Sequence, residues 1–111
     1  MNYKDSIKNH KEEFLKLCTT HDVDSLYVFG SSTTDKFDEK SSDIDLLVEV
    51  NTPDAIKRGE NLLILWDKFE KIFQRKVDLL TNSSIKNPFL RKNIDASKIL
   101  IYDRKEHKIF I

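Results

Sequence analysis

The sequence lacks a second cysteine, a long apolar run and an excess of charge of either sign. Its single cysteine, Cys18, cannot form an internal disulfide, and no stretch resembles a signal peptide or a membrane span. These absences predict a cytoplasmic protein without a membrane partner. Cys18 lies on an apolar helical stripe and is expected to fill the core rather than to bind metal.

The charge balance excludes broad nucleic-acid binding. Lysine plus arginine number 19 and aspartate plus glutamate also number 19, so no global basic field is available to attract phosphate backbones. A length of 111 residues fits one domain with one modest core. We therefore predict a single domain over residues 1–111, whose partners must be inferred from local sites.

Apolar spacing predicts a mixture of helices and strands, because apolar residues recur every three or four positions in helices and alternate in strands. The predicted helices are Tyr3 to Thr20, about two turns within Ser31 to Phe37, a long helix opened by Thr52 and Pro53, and a short one opened by Asn87 and Pro88. The predicted strands are Ser25 to Phe29, Ile44 to Val50, Lys76 to Thr81 and Ile99 to Tyr102. Residues 103–111 either close a hairpin or form a tail that docks on a partner.

The long helix carries the most regular apolar stripe in the chain. Leu62, Trp66, Phe69 and Phe73 follow one another at steps of four, three and four, which places them on one helical face. Thr52 is expected to cap the helix, with Pro53 at its first position.

Two aspartates stand at the start of the strand Ile44 to Val50. Asp43 and Asp45 are two residues apart, so their side chains point to the same face, opposite to the apolar face of the strand. Two neighbouring carboxylates repel each other unless a divalent cation lies between them, one is protonated or both are solvated. The surrounding residues favour a metal.

A glycine and a serine directly follow the preceding strand. Gly30 lets the backbone approach a ligand closely, and the Ser31 hydroxyl with nearby N–H groups suits a phosphate. A third aspartate, Asp78, stands in the otherwise apolar strand Lys76 to Thr81. The Gly-Ser step and the aspartate pair together predict an active site in the stretch Leu26 to Val50.

Structural roles are also open for these acidic residues. Asp43 would serve equally as a cap or turn residue at the start of its strand. Asp78 could pair with Lys76 or Arg75. Glu49 shares the aspartate face but lies further along the strand, where a solvated edge or a salt bridge is expected.

The order of these elements resembles a known family. Gly30-Ser31, then the run from Ser42 to Leu46 with its two aspartates, then a later strand with Asp78 are similar to the signature of the DNA polymerase beta-type nucleotidyltransferase superfamily. The likeness is greatest to the minimal nucleotidyltransferase domain of two-gene toxin–antitoxin modules. It implies an α+β nucleotidyltransferase fold, a small mixed β-sheet with helices packed mainly on one face.

The resemblance also implies a reaction. Asp43, Asp45 and Asp78 would bind two Mg²⁺ ions, and Asp78 would orient or deprotonate the attacking hydroxyl. Gly30 and Ser31 would hold the terminal phosphates of ATP. In this family the AMP acceptor is often a tyrosine of a partner HEPN-domain toxin, which is silenced in a type VII-like toxin–antitoxin pair.

The sequence departs from the family after the Gly-Ser step. The family commonly continues Gly-Ser-x-Ala-Arg-Gly, whereas this chain places Thr34 at the arginine position and Asp35 after it. Lys36 is the nearby cation expected to compensate at the nucleotide. This departure favours an alternative, an antitoxin with a weak or inactive site that neutralises its toxin by direct binding. Assembly into a homo-oligomer is left open.

Overall fold

The computed structural model describes residues 2–33 and 43–111, in which helices and strands alternate along most of the chain. The described helices are α1 (Tyr3–Asn9), α2 (Lys11–Thr20), α3 (Ala55–Phe73) and α4 (Pro88–Ser97). The described strands are β1 (Val23–Phe29), β2 (Ile44–Val50), β3 (Val77–Leu80), β4 (Ile99–Asp103) and β5 (Lys108–Ile109). Short 3-10 turns span Gly30–Thr33 and Asn82–Ser84.

The strands form one mixed sheet in the order β3-β2-β1-β4-β5. The pairs β1–β2, β1–β4 and β4–β5 are antiparallel, whereas β2 and β3 are parallel. A parallel pair needs a long crossover, and α3 supplies it between β2 and β3. The mixed α+β sheet predicted from the sequence is confirmed.

The main core lies between one face of the sheet and helices α1, α2 and α3. Ile44, Leu46 and Val48 of β2 point into it, as their alternation predicts. The rings of Phe14 on α2 and Phe69 on α3 pack with their centroids 5.4 Å apart. Cys18 is fully buried in the same cluster, so its predicted role in the core is confirmed.

A smaller core lies on the opposite face of the sheet, the face of Asp45. Phe29, Leu47, Ile85 and Ile94 are all buried there, and Ile94 brings α4 against the sheet. Helices therefore cover mainly one face, as expected, but α4 also covers part of the second. This coverage leaves the acidic end of that face next to a helix rather than wholly open.

The predicted helix from Tyr3 to Thr20 is wrong in one respect, because it is broken at His10. This residue ends α1 and precedes α2, with φ of −128° and ψ of 33°. Asn9 and His10 are exposed and have modest helix propensity, so a break there loses little burial. The break lets Ile7 and Phe14 enter the same core from two separate helices.

The start of α3 also differs from its prediction. Asp54, not Thr52, caps the helix, and its carboxylate accepts the Ile56 N–H at 2.9 Å. A carboxylate is favoured at this position because the helix dipole adds to the hydrogen bond. Thr52 is instead buried, and its hydroxyl donates to Asp22 Oδ2 at 3.1 Å.

Trp66 lies at the margin of the core instead of within it. Its side chain is 46% exposed, while Leu65 and Ile72 are buried and extend the core stripe around Phe69. The Trp66 indole N–H donates to the Val77 carbonyl at 2.8 Å, and Glu70 Oε2 accepts the Val77 N–H at 3.0 Å. The pattern of apolar spacing missed this because an indole N–H needs a polar partner that spacing does not reveal.

The C-terminal residues form a hairpin, the first of the two options that the sequence left open. Tyr102 pairs with Ile109 and Asp103 with Lys108. Of the predicted helix Ser31 to Phe37, the Gly30–Thr33 turn covers the first part, and residues 34–42 lie outside the described ranges. Among the described helices, none has the length and apolar character needed to cross a membrane.

The docking of α4 predicts a contrast between two residues of that helix. Ile94→Ala should lower the free energy of unfolding by about 2–4 kcal/mol, because Ile94 is 1% exposed and its removal leaves a cavity. Phe89→Ala, on the same helix but 77% exposed, should change it by less than about 0.5 kcal/mol. Urea denaturation measures both, and equal losses would show that α4 is not held by Ile94.

Candidate active site

The acidic face is set by the pairing of β2 with β3. Asp45 and Asp78 are register partners on these parallel strands, so both side chains project from the same face of the sheet. Asp43 directly precedes β2 and is exposed, two residues before Asp45. Since β2 and β3 are neighbours in the sheet, no strand separates Asp78 from the pair.

The charges of Asp43 and Asp78 act on Asp45. Asp45 is half-buried, and burial together with the charges of Asp78 and Asp43 raises the pKa of its carboxyl group to about 6. Burial is the largest of these causes, followed by Asp78 and then Asp43. The ordinary value is 3.8, so the fold holds this carboxyl group in surroundings that disfavour its ionised form.

Gly30 brings the following turn against Asp45. Its φ is +72°, in the left-handed region that favours glycine, and a Cβ placed on it would lie 2.6 Å from Asp45 Oδ2. Phe29, the preceding residue, is the register partner of Asp45 on β1. The predicted phosphate-binding step and the predicted metal ligand are therefore immediate neighbours.

Hydrogen bonds close the Gly30–Thr33 turn at both ends. The Thr33 hydroxyl donates to the Gly30 carbonyl at 2.8 Å. The Gly30 N–H donates to Ser97 Oγ at 3.2 Å, and the Ser97 hydroxyl donates to the Asn93 carbonyl at 3.0 Å. Sequence reasoning missed Ser97 because it stands 67 residues away and no spacing links the two positions.

The remaining predicted nucleotide residues are only partly accounted for. The backbone of Ser31 lies in the Gly30–Thr33 turn, next to Gly30 as the sequence requires. Lys36, Thr34 and Asp35 lie outside the described residues. Their roles at a nucleotide stay predictions.

Glu49 has a structural role. Its carboxylate accepts the Asn82 N–H at 3.0 Å, and Arg91 of α4 donates to Asn82 Oδ1 and to the Asn82 carbonyl, both at 2.8 Å. The prediction of a solvated edge or a salt bridge was wrong in its partner, since Glu49 binds a backbone N–H. This network ties α4 to the end of β2 remote from Asp45.

The residues present fit a divalent cation in chemistry, although the described residues do not form a complete metal site. Carboxylate oxygens are the ligands that Mg²⁺ prefers, and a cation would offset the burial and the neighbouring acidic charges that raise the pKa of Asp45. Within residues 2–33 and 43–111, no three His, Cys, Asp or Glu side chains have the arrangement of a metal site. The metal roles of Asp43, Asp45 and Asp78 therefore stay predictions.

The fold and this site define a nucleotidyltransferase domain. The chain matches the model of the nucleotidyltransferase domain family over residues 7–101, and it belongs to that family. It is similar to two proteins of Methanocaldococcus jannaschii, each named "Putative protein adenylyltransferase". One is 38% identical over 99 residues and the other 33% identical over 98, with 88% of this chain and 93% of each relative covered.

Solved structures confirm the fold. A chain described as a "putative minimal nucleotidyltransferase" has a TM-score of 0.61 and 25% identity, covering 89% of this chain and 95% of that one. A toxin–antitoxin structure with AMP-PNP has a TM-score of 0.58 and 22% identity, covering 87% and 77%. A tri-AMPylated Shewanella oneidensis HEPN toxin in complex with its MNT antitoxin has a TM-score of 0.55 and 22% identity, covering 89% and 74%. The resemblance deduced from the sequence is confirmed.

The two glycines of the chain give a matched test of the contact with Asp45. Gly30→Ala should destabilise the fold by at least about 1–2 kcal/mol, since a left-handed alanine is strained and its Cβ meets Asp45 Oδ2. Gly59→Ala should stabilise it by about 0.5–1 kcal/mol, because Gly59 lies within α3 with open space around it. Thermal melting measures both variants. The double variant Gly30→Ala with Asp45→Ala should recover part of the lost stability, because it removes the carboxylate that the new Cβ would contact.

Because the pKa of Asp45 is raised, replacing this residue with a neutral one should stabilise the fold by an amount that depends on pH. Its pKa in the fold, about 6, exceeds the ordinary 3.8, so the folded state binds more protons between these values and stability falls as pH rises through them. In metal-free protein, Asp45→Asn should therefore raise the free energy of unfolding by about 1 kcal/mol at pH 7, a value reduced for partial solvent exposure, and by little at pH 4. Denaturation at both pH values measures it, with Glu60→Gln on the exposed surface of α3 as control. A gain that is independent of pH would contradict the assignment.

Proposed function

We propose that this nucleotidyltransferase moves AMP from ATP to a tyrosine hydroxyl of a partner HEPN-domain toxin, with Mg²⁺ as cofactor. The observation that carries the proposal is the position of the Gly30 turn directly against Asp45, whose register partner is Asp78. A turn suited to phosphates and two or more carboxylates suited to a cation thus occupy one end of one sheet face. Such an arrangement serves charge neutralisation at a phosphoryl centre.

The reaction is a displacement at the α-phosphorus of ATP. The acceptor oxygen forms the new phosphorus–oxygen bond, the bond to the β-phosphate breaks, and pyrophosphate leaves. Asp78, the more exposed of the two register partners, would accept the proton of the attacking hydroxyl. Gly30 would let the terminal phosphates approach the turn closely, and Ser31 would bind them, with Lys36 adding a positive charge.

Asp43 and Asp45 would hold magnesium, with Asp78 completing one of two ion sites. When bound, magnesium supplies charge neutralisation and alignment of the phosphates. The surroundings of Asp45 agree with this role, because its carboxyl group is disfavoured as an isolated anion and a neighbouring cation reverses that preference.

The choice of acceptor rests on the proteins to which the chain is similar. Its relatives in Methanocaldococcus jannaschii are named for protein adenylyltransferase activity, and one fold neighbour is the antitoxin bound to an AMPylated HEPN toxin. The matched length is that of a minimal domain, since 95% of a minimal nucleotidyltransferase chain is covered.

A second candidate function is neutralisation of the toxin by binding alone. Thr34 favours it, because an arginine at that position of the family signature would help to balance the triphosphate charge. The three clustered acidic residues favour the enzyme, since a binding surface has no evident need for carboxylates that repel one another.

Asp43 separates the two functions experimentally. Purified chain, incubated with MgCl2, ATP labelled on the α-phosphate and the HEPN-domain toxin proposed as its partner, should transfer label to a toxin tyrosine that mass spectrometry locates. Asp43→Ala should reduce this transfer by at least about 100-fold, the scale expected when a group that stabilises transition-state charge is lost.

The control is Asp67→Ala on the exposed part of α3, which should transfer label at the wild-type rate. Protection of cells from the toxin is compared in parallel. If Asp43→Ala protects cells as well as wild type and the toxin gains no adenylate mass, binding alone accounts for neutralisation and the enzymatic proposal fails.

A further inference from the structure

We propose that Ser97, at the end of α4, is a positioning residue that fixes the Gly30 turn against Asp45 for nucleotide binding. Its hydroxyl accepts the Gly30 N–H at 3.2 Å across 67 residues of sequence. This is a contact between the last residue of a helix and the first residue of the turn proposed to hold phosphates. The inference rests on the proposed function for its consequence, but not for the contact itself.

The Ser97 hydroxyl has a defined orientation. It donates its proton to the Asn93 carbonyl at 3.0 Å, which leaves an oxygen lone pair for the Gly30 N–H. Alanine at position 97 would remove both bonds. Threonine would retain a hydroxyl group able to make them, as Thr19 does with the Leu15 carbonyl on α2.

The helix that carries Ser97 is itself anchored. Ile94, three residues earlier and thus on the same helical face, is buried with Phe29, the residue directly before Gly30, and with Leu47. Lys98 lies with its Nζ 4.9 Å from the centre of the Tyr27 ring, on the same strand as Phe29. The end of α4 is therefore held to β1, and Ser97 extends this attachment to the turn.

The turn needs such an attachment. Gly30 has a left-handed φ of +72°. Glycine has more backbone freedom than any other residue, so its own conformational preference does not hold the turn in place. Without the bond to Ser97, the Gly30 N–H would lose its described partner and the turn could move away from Asp45 Oδ2. Movement there would separate the phosphate-binding residues from the carboxylates and weaken ATP binding.

The two glycines make a direct test of the contact. Selective isotope labelling of glycine gives two backbone amide signals, from Gly30 and from Gly59 within α3. In Ser97→Ala the Gly30 amide should exchange with solvent about 2- to 12-fold faster, the range that the net value of one hydrogen bond covers. The Gly59 amide should not change, and Ser97→Thr should restore the wild-type exchange of Gly30.

The effect of Ser97 on nucleotide binding is measured with Mg²⁺ and ATP. Ser97→Ala should weaken ATP binding, and raise the KM for ATP, by a similar factor, while kcat at saturating ATP stays near the wild-type value. Ser97→Thr should recover the affinity. Thr19→Ala, which removes the same type of helix-end hydroxyl bond on the other face of the sheet, should leave both ATP affinity and Gly30 exchange unchanged.

The outcomes separate this proposal from the proposed function. Equal Gly30 exchange in wild type and Ser97→Ala would overturn the positioning role. Faster exchange with unchanged ATP affinity would overturn its relevance to the nucleotide. Failure of the wild-type chain to bind ATP would overturn the proposed function and, with it, the nucleotide half of this inference.

Discussion

The rest of the fold holds acidic residues together at one end of the sheet, against the cost of burying a charge and the repulsion between carboxylates. Asp45 is half-buried beside two other acidic residues, which is unfavourable for an isolated anion. The parallel register of β2 and β3 fixes Asp78 opposite Asp45, and this register is possible because α3 provides the crossover between the strands. The main core, on the far face, supplies the burial that offsets the cost. The main core and the acidic site therefore lie on opposite faces of the sheet, and only the smaller cluster around Ile94 shares the acidic face.

The face of the sheet that carries Asp45 is partly covered by α4. Helix α4 is attached to it at two places, through Ile94 and Ser97 near the Gly30 turn and through Arg91 and Asn82 near Glu49. The helix therefore spans from the acidic end of β2 to the opposite end of the same strand. A partner that approaches the carboxylates has to do so beside α4, so this helix bounds the site on one side.

Much of the fold was predictable because its signals are local. The alternation along β2 identified the core face and the acidic face, and Asn87-Pro88 located the start of α4. The errors arose where tertiary contacts decide between locally similar options. The helix breaks at His10, where Ile7 and Phe14 enter the same core from two separate helices. Trp66 lies at the margin of the core, where its N–H donates to the Val77 carbonyl. The sequence predicted Asp43, Asp45 and Gly30 as site residues, and the structure places Gly30 against Asp45. Ser97 was not predicted, because its partner is distant in sequence.

Two side chains of α3 bind the backbone of the edge strand β3, which has a consequence for the chain when it is alone. An edge strand normally offers alternating N–H and carbonyl groups to any extended segment nearby, which is a route to aggregation. Here Glu70 and Trp66 take both groups of Val77, so the first outward-facing position of a four-residue strand cannot pair with another chain. A protein proposed to restrain a toxin must stay dispersed whenever it is present in excess, and these two side chains favour that state.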